Sequence, residues 1–267
     1  MKRSMAAVIG LALLALLALA AVLAPFVAPH APTAINLDAA LCVPGAGHLL
    51  GCDELGRDVW SRLLWGSRAS MAVGICAVLV SMTIGVLVGA VAGYAGGVVD
   101  AIVMRGIDIL LAFPGILLAI AVAGVLGPSF VNVIIALSVL GWVGYARLVR
   151  GQVLSIRERD FVLSARSIGA SPWRIVWRHV LPEVAAPVVV QATFGVAGAI
   201  LAEASLSFLG LGPQDVPTWG AMLAEGLDYL LTAPNLSVWP GLAVLVTVLA
   251  FNIAGDGLRD ALDVKAA

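Results

Sequence analysis

Charged side chains are scarce in this sequence. Only 12% of its 267 residues are Asp, Glu, Lys or Arg, 61% are hydrophobic, and the mean hydropathy is +1.06. A soluble globular chain carries about 25% charged and about 45–50% apolar residues. Half of the usual charge cannot cover the surface of a 27.3 kDa globule in water. The composition therefore excludes a soluble enzyme and a disordered chain, and it indicates an all-α integral membrane protein.

Motifs for catalysis and nucleotide binding are missing as well. A Walker A phosphate loop needs a lysine, and the lysines here are Lys2 and Lys265. No GxSxG motif supports hydrolase chemistry, and the three histidines lack an HExxH motif or a carboxylate at metal-ligand spacing. A net charge of −1 gives no field that attracts nucleic acid. We expect no catalytic residue, no metal site and no nucleic-acid partner.

Cysteine is rare too, and three residues are too few for a disulfide framework. Cys42 and Cys52 lie in a stretch that the topology below places outside the membrane, which is an oxidising compartment in many bacteria. A disulfide would close that Pro- and Gly-rich loop, but two free thiols fit the same spacing. The sequence leaves both open. Cys76 lies in a predicted span and is expected to stay reduced.

Long uncharged runs predict six transmembrane helices, because a span needs about 20 mostly apolar residues. The first run resembles a signal peptide, but its apolar core is longer than a signal core, which favours an uncleaved helix. A later run is too long for one crossing, and Gly127-Pro128-Ser129 divides it into a hairpin of two helices. The predicted spans are 5–28, 69–99, the two halves of 109–146, 184–202 and 237–255.

The basic residues predict the orientation. Seven of the 15 Lys and Arg residues lie between Arg147 and Arg178, and none lies between Arg178 and Arg259. The positive-inside rule therefore puts the 147–183 loop and both termini in the cytoplasm. Three arginines on the predicted outer side count against this orientation and are outweighed: Arg57, Arg62 and Arg68.

The first outer segment, residues 30–68, begins as a Pro- and Gly-rich loop and then becomes helical. Asp53 is the predicted N-cap, and apolar residues then recur at helical spacing. With Trp60 and Trp65, this pattern predicts a helix in the membrane interface; a simple lead-in to the second span is the alternative. We therefore expect two units, 1–66 and a five-helix core at 67–260.

The inner segment, residues 157–182, predicts two short helices. The first ends at Gly169 as a glycine C-cap, and Ser171 caps the second, with Pro172 in its first turn. The second helix carries an apolar stripe that must be buried, against the protein's own membrane helices or against a partner: Trp173, Val176, Trp177, Val180 and Leu181. A DNA-binding helix-turn-helix does not fit, because both ends of the segment run directly into the bilayer.

Glu203 is the acidic residue closest to mid-chain apolar sequence. An ionisable group near a span is costly and marks a candidate for the transport pathway. A carboxylate at a helix end that reaches interfacial water is the alternative. An ion-coupled secondary transporter would need such charges inside its spans, and Glu203 is the only near-candidate for one.

The inner segment resembles the EAA loop of binding-protein-dependent ABC importer permeases. Leu163-Ser164-Ala165, Gly169, His179 and Leu181-Pro182 stand where that family has Glu-Ala-Ala, Gly, Ile and Leu-Pro. Leu163 replaces the family's Glu and His179 its Ile, which removes one polar contact expected at the ATPase. The resemblance implies that the following residues couple the chain to an ATPase: Ser164, Ala165, Gly169, Ala170, Ser171, Leu181 and Pro182.

Other stretches are similar to the second membrane subunit of dipeptide, oligopeptide and nickel permeases. They begin at His48, Ser207, Trp219 and Ala250 and read HLLGCDELGRD, SFLGLG, WGAM and AFN through GDGLRD. As a set these motifs are specific, and they extend over nearly the whole chain.

This resemblance implies a type I ABC importer permease in the cell membrane. Its expected partners are a homologous permease, two ATPases that hold ATP and Mg²⁺, an extracytoplasmic binding protein and the lipid bilayer. The chain itself would hold no cofactor. The expected cargo is a di- or oligopeptide, with a nickel chelate as the alternative.

Overall fold

The computed structural model describes residues 5–45 and 47–263, and helices account for most of them. Lys2, Ala46 and Lys265 lie outside the described residues. The long helices are α1 (Met5–Val27), α2 (Val59–Ala95), α5 (Phe130–Ile156), α8 (Leu181–Phe208) and α10 (Asn235–Asp263). The shorter ones are α3 (Gly97–Leu111), α4 (Gly115–Leu126), α6 (Asp160–Ser167), α7 (Pro172–Ile175) and α9 (Trp219–Leu227).

The described helices confirm an all-α membrane protein. Five are long and apolar enough to cross a bilayer, and the α3–α4 pair makes a sixth if its two halves count as one span. That pair is bent by 83°. The third span was predicted as one straight helix, and this was wrong. α4 begins directly after Pro114 and has only 12 residues, so it supplies only half of a bent span. The break predicted at residues 127–129 is confirmed, and Ser129 caps α5 by accepting the backbone N–H of Asn132.

The helix predicted at the membrane interface is the beginning of the second span, as in the alternative interpretation. α2 runs from Val59 through residues 66 and 67 to Ala95 without a break. Its N-cap is Asp58, whose carboxylate accepts the backbone N–H of Ser61 at 2.7 Å, so the prediction of Asp53 as the cap was wrong. The first turns of α2 pack against α9, where the buried indole of Trp219 donates to the Leu63 carbonyl.

Close packing of α2 against α5 forms the centre of the bundle. Gly85, Gly89 and Gly93 follow one another at intervals of four on α2 and face α5. A Cβ on Gly93 would lie 2.9 Å from the Cβ of Val153, and one on Gly89 would overlap the backbone of Ala146. Small residues at helix interfaces let backbones approach closely in membranes, where no hydrophobic force drives helices together.

The two ends of the bundle carry different features. We name the end with residues 157–182 the inner end and the opposite end the outer end, following the predicted orientation. α1 runs along α10, with Gly10 against Ala254 and Ala7 against Gly257. At the outer end, a disulfide between Cys42 and Cys52 closes the loop between α1 and α2.

Candidate functional site

The inner segment, residues 157–182, turns at Gly169. The backbone N–H of Ala170 donates to the Ala165 carbonyl at 3.1 Å, and that of Gly169 donates to the Arg166 carbonyl at 3.0 Å. These two bonds form a Schellman motif. Gly169 has a φ of +80°, a conformation that L side chains adopt only at a cost. The glycine therefore ends α6 as its position in the sequence predicts.

The helix that follows differs from its prediction in length. Ser171 caps α7, with Pro172 in the first turn, but a π-helical turn at Val176–Val180 then joins α7 to α8. The two form one helical run, Pro172–Phe208. Pro182 has no backbone N–H to donate to a carbonyl one turn earlier. The π-helical turn lies directly before Pro182 in the chain.

Burial divides the apolar stripe on this helix. Val180 is fully buried, as is Ile175, which lies outside the predicted stripe. Trp173 and Trp177 remain 68% and 47% exposed and touch edge to face, with ring centroids 5.2 Å apart. Part of the stripe thus packs on the protein's own helices, while a large part of each tryptophan stays exposed.

The α6 half of the inner segment rests on the inner ends of α2 and α5. Val162 and Ala165 are buried, while Leu163 and Ile168 face outward with 40% and 85% exposure. The guanidinium of Arg166 lies 5.8 Å from the ring centroid of Tyr94, near the last turn of α2. α6 therefore has one face fixed to the membrane helices and one free apolar face.

Three arginines of the basic cluster fasten neighbouring helices. Arg157 donates to the carbonyl of Gly93 at 3.0 Å, at the C-terminal end of α2, where a cation is favoured by the helix dipole. Arg150 donates two hydrogen bonds, of 2.5 and 2.6 Å, to the carboxylate of Asp100 in α3. Arg147 reaches Asp108 on the same helix at 2.5 Å. The Arg147 and Arg150 contacts hold α3 against α5, and the Arg157 contact holds the end of α5 against α2.

A cavity of about 350 Å³ lies between α2, α4, α5 and α8. We call it the membrane cavity. Its lining is apolar and rich in Gly and Ala, and three polar side chains line it: Ser81, Tyr145 and Gln191. The hydroxyl of Tyr145 is buried and has no hydrogen-bond partner among the described residues. The cavity thus offers a small polar set inside an apolar wall, as small-molecule sites do.

Glu203 lies outside the lining of this cavity. It is fully buried near the outer end of α8, where the hydroxyl of Ser207 donates to its Oε1 at 2.6 Å. The hydroxyls of Ser70 and Thr218 also face it. Each of these two oxygens accepts a backbone N–H of α9 and keeps its own hydrogen available to donate. Glu203 therefore ties together α8, α2 and the start of α9.

Buried charges join the outer loop to α9. The Arg62 guanidinium bridges Asp53 and Glu225, and Arg57 reaches both of these carboxylates and Glu54. Burial raises the pKa of Glu54 above its ordinary value. Ionic pairs of this kind lose much of their gain to desolvation, but they fix geometry. Arg57 and Arg62, which count against the positive-inside rule, have structural partners here.

Sequence reasoning missed the residues that line the membrane cavity and the glycine interface between α2 and α5. Tyr145 and Gln191 are single polar residues inside apolar runs, and no motif marks them. The Gly85, Gly89 and Gly93 repeat was visible in the sequence as a GxxxG pattern, which is typical of close helix contacts in membranes. That signal could have predicted the interface.

Two protein families together match most of the chain. Residues 85–267 match the family described as binding-protein-dependent transport system inner membrane component. Residues 1–44 match the N-terminal transmembrane domain of oligopeptide transport permease C.

Individual relatives match over similar lengths. The glutathione transport system permease protein GsiD of Pectobacterium atrosepticum is 49% identical over 83% of this chain and 74% of its own length. The dipeptide transport system permease protein DppC of Bacillus subtilis is 43% identical over 99% of this chain and 83% of its own.

One solved structure shows the same fold. A chain of the MetNI methionine ABC transporter, in an inward-facing conformation, matches with a TM-score of 0.60 and 22% identity. The match covers 75% of this chain and 96% of that one.

Proposed function

The chain belongs to the family of binding-protein-dependent transport system inner membrane components, and on that premise we propose that it forms half of a peptide translocation pathway. It is a permease subunit of an ABC importer, a multi-pass protein of the inner membrane, and is not itself catalytic. The family description implies an ATPase and a substrate-binding protein as partners. Membership of this family excludes the ion-coupled secondary transporter that was considered as an alternative from the sequence.

The finer assembly is part of this proposal. It consists of a homologous permease, two ATPases that hold ATP and Mg²⁺, and an extracytoplasmic binding protein, within the lipid bilayer. The proposed assembly includes no cofactor on this chain and no nucleic acid. The units 1–66 and 67–260 remain our division of the chain.

The exposed tryptophan pair carries the proposal that the inner segment docks on an ATPase. Trp173 and Trp177 lie at the inner end, with Arg174 and Arg178 also exposed beside them. Tryptophan and arginine are enriched where interfaces derive most of their binding energy. Exposed apolar clusters outside the bilayer mark such interfaces. We assign the coupling to the residues named from the resemblance: Ser164, Ala165, Gly169, Ala170, Ser171, Leu181 and Pro182. Leu163 would offer an apolar contact where the family has a carboxylate.

We place the cargo pathway along the membrane cavity. An apolar wall with three polar side chains, Ser81, Tyr145 and Gln191, suits a small peptide. The polar side chains would form hydrogen bonds with the amide groups of the peptide. The apolar wall would bind the peptide weakly enough for it to move on. Glu203 stays a sequence-based candidate, and its contacts with α2 and α9 support a role in holding the outer end of α8.

Relatives support a peptide as the cargo. Glutathione and dipeptides are both short peptides, and they are named in the transport systems of the two relatives described above. No observation on this chain favours the nickel chelate that the sequence left as an alternative.

The docking proposal is tested by changing Trp173 and Trp177 to alanine together. We expect ATPase copurification and ATP-driven uptake to fall at least about tenfold, as for the loss of a central interface residue, with membrane abundance unchanged. Leu231→Ala is the matched control, because Leu231 is fully exposed at the outer end. Full copurification with the double variant would contradict the docking surface.

The cargo is tested separately with the assembled transporter in vesicles. Uptake of a labelled dipeptide should be reduced by unlabelled di- and tripeptides and unaffected by free amino acids or a nickel chelate. Competition by the nickel chelate alone would overturn the peptide assignment and leave the docking proposal intact.

A further inference from the structure

Two imidazole rings and one buried carboxylate meet at the outer end of the bundle, where α1 ends and α2 begins. His48 Nδ1 lies 2.9 Å from Asp58 Oδ1, and His30 Nδ1 lies 3.9 Å from the same oxygen. The two rings stack with their centroids 4.7 Å apart. One ligand atom from each residue lies within 4.8 Å of the other two. Two ring nitrogens and a carboxylate oxygen are thus close enough for one ion to reach all three.

The backbones of His30 and His48 and the side chain of Asp58 are each held in place by their own contacts. Asp58 Oδ2 accepts the Ser61 backbone N–H at 2.7 Å, and the Ser61 hydroxyl accepts the His30 backbone N–H at 3.1 Å. His48 sits in a tight turn in which it exchanges two backbone hydrogen bonds with Gly45. The Cys42–Cys52 disulfide closes the loop around that turn. The cluster is therefore prearranged by separate parts of the chain.

The charge of Asp58 lacks a fixed counter-ion. Its side chain is fully buried, and within residues 5–45 and 47–263 its ion-pair partners are the two histidines. Asp53, by contrast, contacts two arginines. A buried carboxylate is costly unless it is paired with a positive charge or bound to a metal. The N-terminus of α2 offsets part of that cost, and a bound cation would offset the rest.

We propose that His30, His48 and Asp58 bind a divalent cation of the zinc class, with water in the open fourth position. Zinc takes imidazole nitrogen and carboxylate oxygen at 2.0–2.2 Å in tetrahedral sites, which puts neighbouring ligand atoms about 3.4 Å apart. The two distances to Asp58, 2.9 and 3.9 Å, lie on either side of that value. The two rings lie nearly parallel, with 25° between their planes, so one ring must turn for both Nδ1 atoms to face the same ion. The His30 and His48 side chains are 41% and 26% exposed, which leaves room for that turn.

The proposed cation would fasten three outer elements together. It would join the chain just after α1, the disulfide loop and the N-cap of α2. This site is separate from the membrane cavity and does not depend on the identity of the cargo. The sequence predicted no metal site, because the three residues share no ligand motif and the fold alone brings them together.

The test is titration of the full chain, stripped of metal and held in lipid nanodiscs, with ZnCl₂. We expect about one Zn²⁺ per chain and a higher unfolding temperature with Zn²⁺, whereas Mg²⁺, which prefers oxygen ligands, has neither effect. His30→Ala and His48→Ala should each weaken Zn²⁺ binding at least about tenfold. The matched control is His179→Ala, which removes the one histidine at the inner end and should bind Zn²⁺ normally.

A second measurement covers the case in which a variant fails to fold. Co²⁺ bound to the natural chain should give the intense visible absorption of a tetrahedral site, without a thiolate charge-transfer band. Weak octahedral absorption, no binding, or unchanged Zn²⁺ affinity in both folded histidine variants would each overturn the site. The cluster would then be a hydrogen bond from His48 to Asp58 with a second ring stacked on it.

Discussion

The hydroxyl of Tyr145 occupies the space beside Gly195 that a Cβ would need. A residue of α5 thus reaches the backbone of α8 across the membrane cavity. The phenol is buried, and its oxygen has no hydrogen-bond partner among the described residues. A buried hydroxyl without a partner costs stability, and in the proposed pathway it would bind a peptide group once the cavity opens.

Replacing Tyr145 with phenylalanine separates these two effects. We expect Tyr145→Phe to leave the unfolding temperature equal or higher, because no hydrogen bond within the described chain is lost. Peptide uptake should fall, because the cavity loses one of its three polar side chains. Tyr229→Phe, outside the cavity, is the control and should transport normally. Uptake equal to that of the natural protein would show that the hydroxyl does not contact the cargo.

The contact between α2 and α5 depends on the absence of side-chain volume at Gly89. A Cβ there would overlap the Ala146 backbone and lie 3.0 Å from the Val149 Cβ. Overpacking of this kind costs roughly 1–3 kcal/mol, so Gly89→Ala should lower the unfolding temperature. The control is Gly124→Ala in α4, where a Cβ meets no heavy atom within 4 Å. Equal thermal stability of the two variants would mean that α2 and α5 do not pack as described.

Gly169 tests whether the turn of the inner segment transmits ATP hydrolysis. A Cβ there meets no atom within 4 Å, so crowding is not the issue, but a β-branched residue at positive φ costs about 1–2 kcal/mol or more. We expect Gly169→Val to insert normally and to lose stimulation of ATP hydrolysis by the loaded binding protein. Gly169→Asn should be milder, because asparagine tolerates the left-handed conformation.

Three measurements on the same cells decide the outcome for Gly169: membrane abundance, ATPase copurification and uptake. Normal uptake by Gly169→Val at normal abundance would show that the turn does not couple. A parallel loss of abundance and uptake would mean that the glycine only ends α6.

The orientation of the bundle can be measured with single cysteines. In a Cys76→Ala background, Ser171→Cys should react with a membrane-impermeant thiol reagent only from the cytoplasm, and Thr232→Cys only from outside. The arginine cluster at residues 147–178 supports this orientation. Reaction of both cysteines from the same side would overturn it.

Counting thiols tests the outer disulfide. Denatured, unreduced protein should show one free thiol, from Cys76, and reduction should release the other two. Because the bridge spans 10 positions, its loss should cost about 2–3 kcal/mol in the chain-entropy model. Denaturation with and without reductant measures that cost. Three free thiols before reduction would reject the bridge.

Features that depend on neighbours along the chain could be predicted from the sequence. The apolar runs predicted the spans because lipid offers no hydrogen bonds to the backbone. Gly169 and Ser171 were identified as caps because capping is satisfied within a few residues. The bend at Pro114 was missed, although a proline in an apolar run is a local signal for a helix break. The angle of 83° between α3 and α4 depends on how α3 packs on α2 and α4 packs on α5.

By itself, then, the sequence determined a membrane-embedded helical chain, the turn at Gly169 and the family pattern, all from composition and local spacing. Only the tertiary structure decided which side of each helix is covered. It buried Ile175 and left Trp173 exposed, and it brought Arg62 to Glu225. It also gathered His30, His48 and Asp58 from three elements. Such contacts join residues distant in sequence, and they depend on the packing of whole helices, which no short motif records.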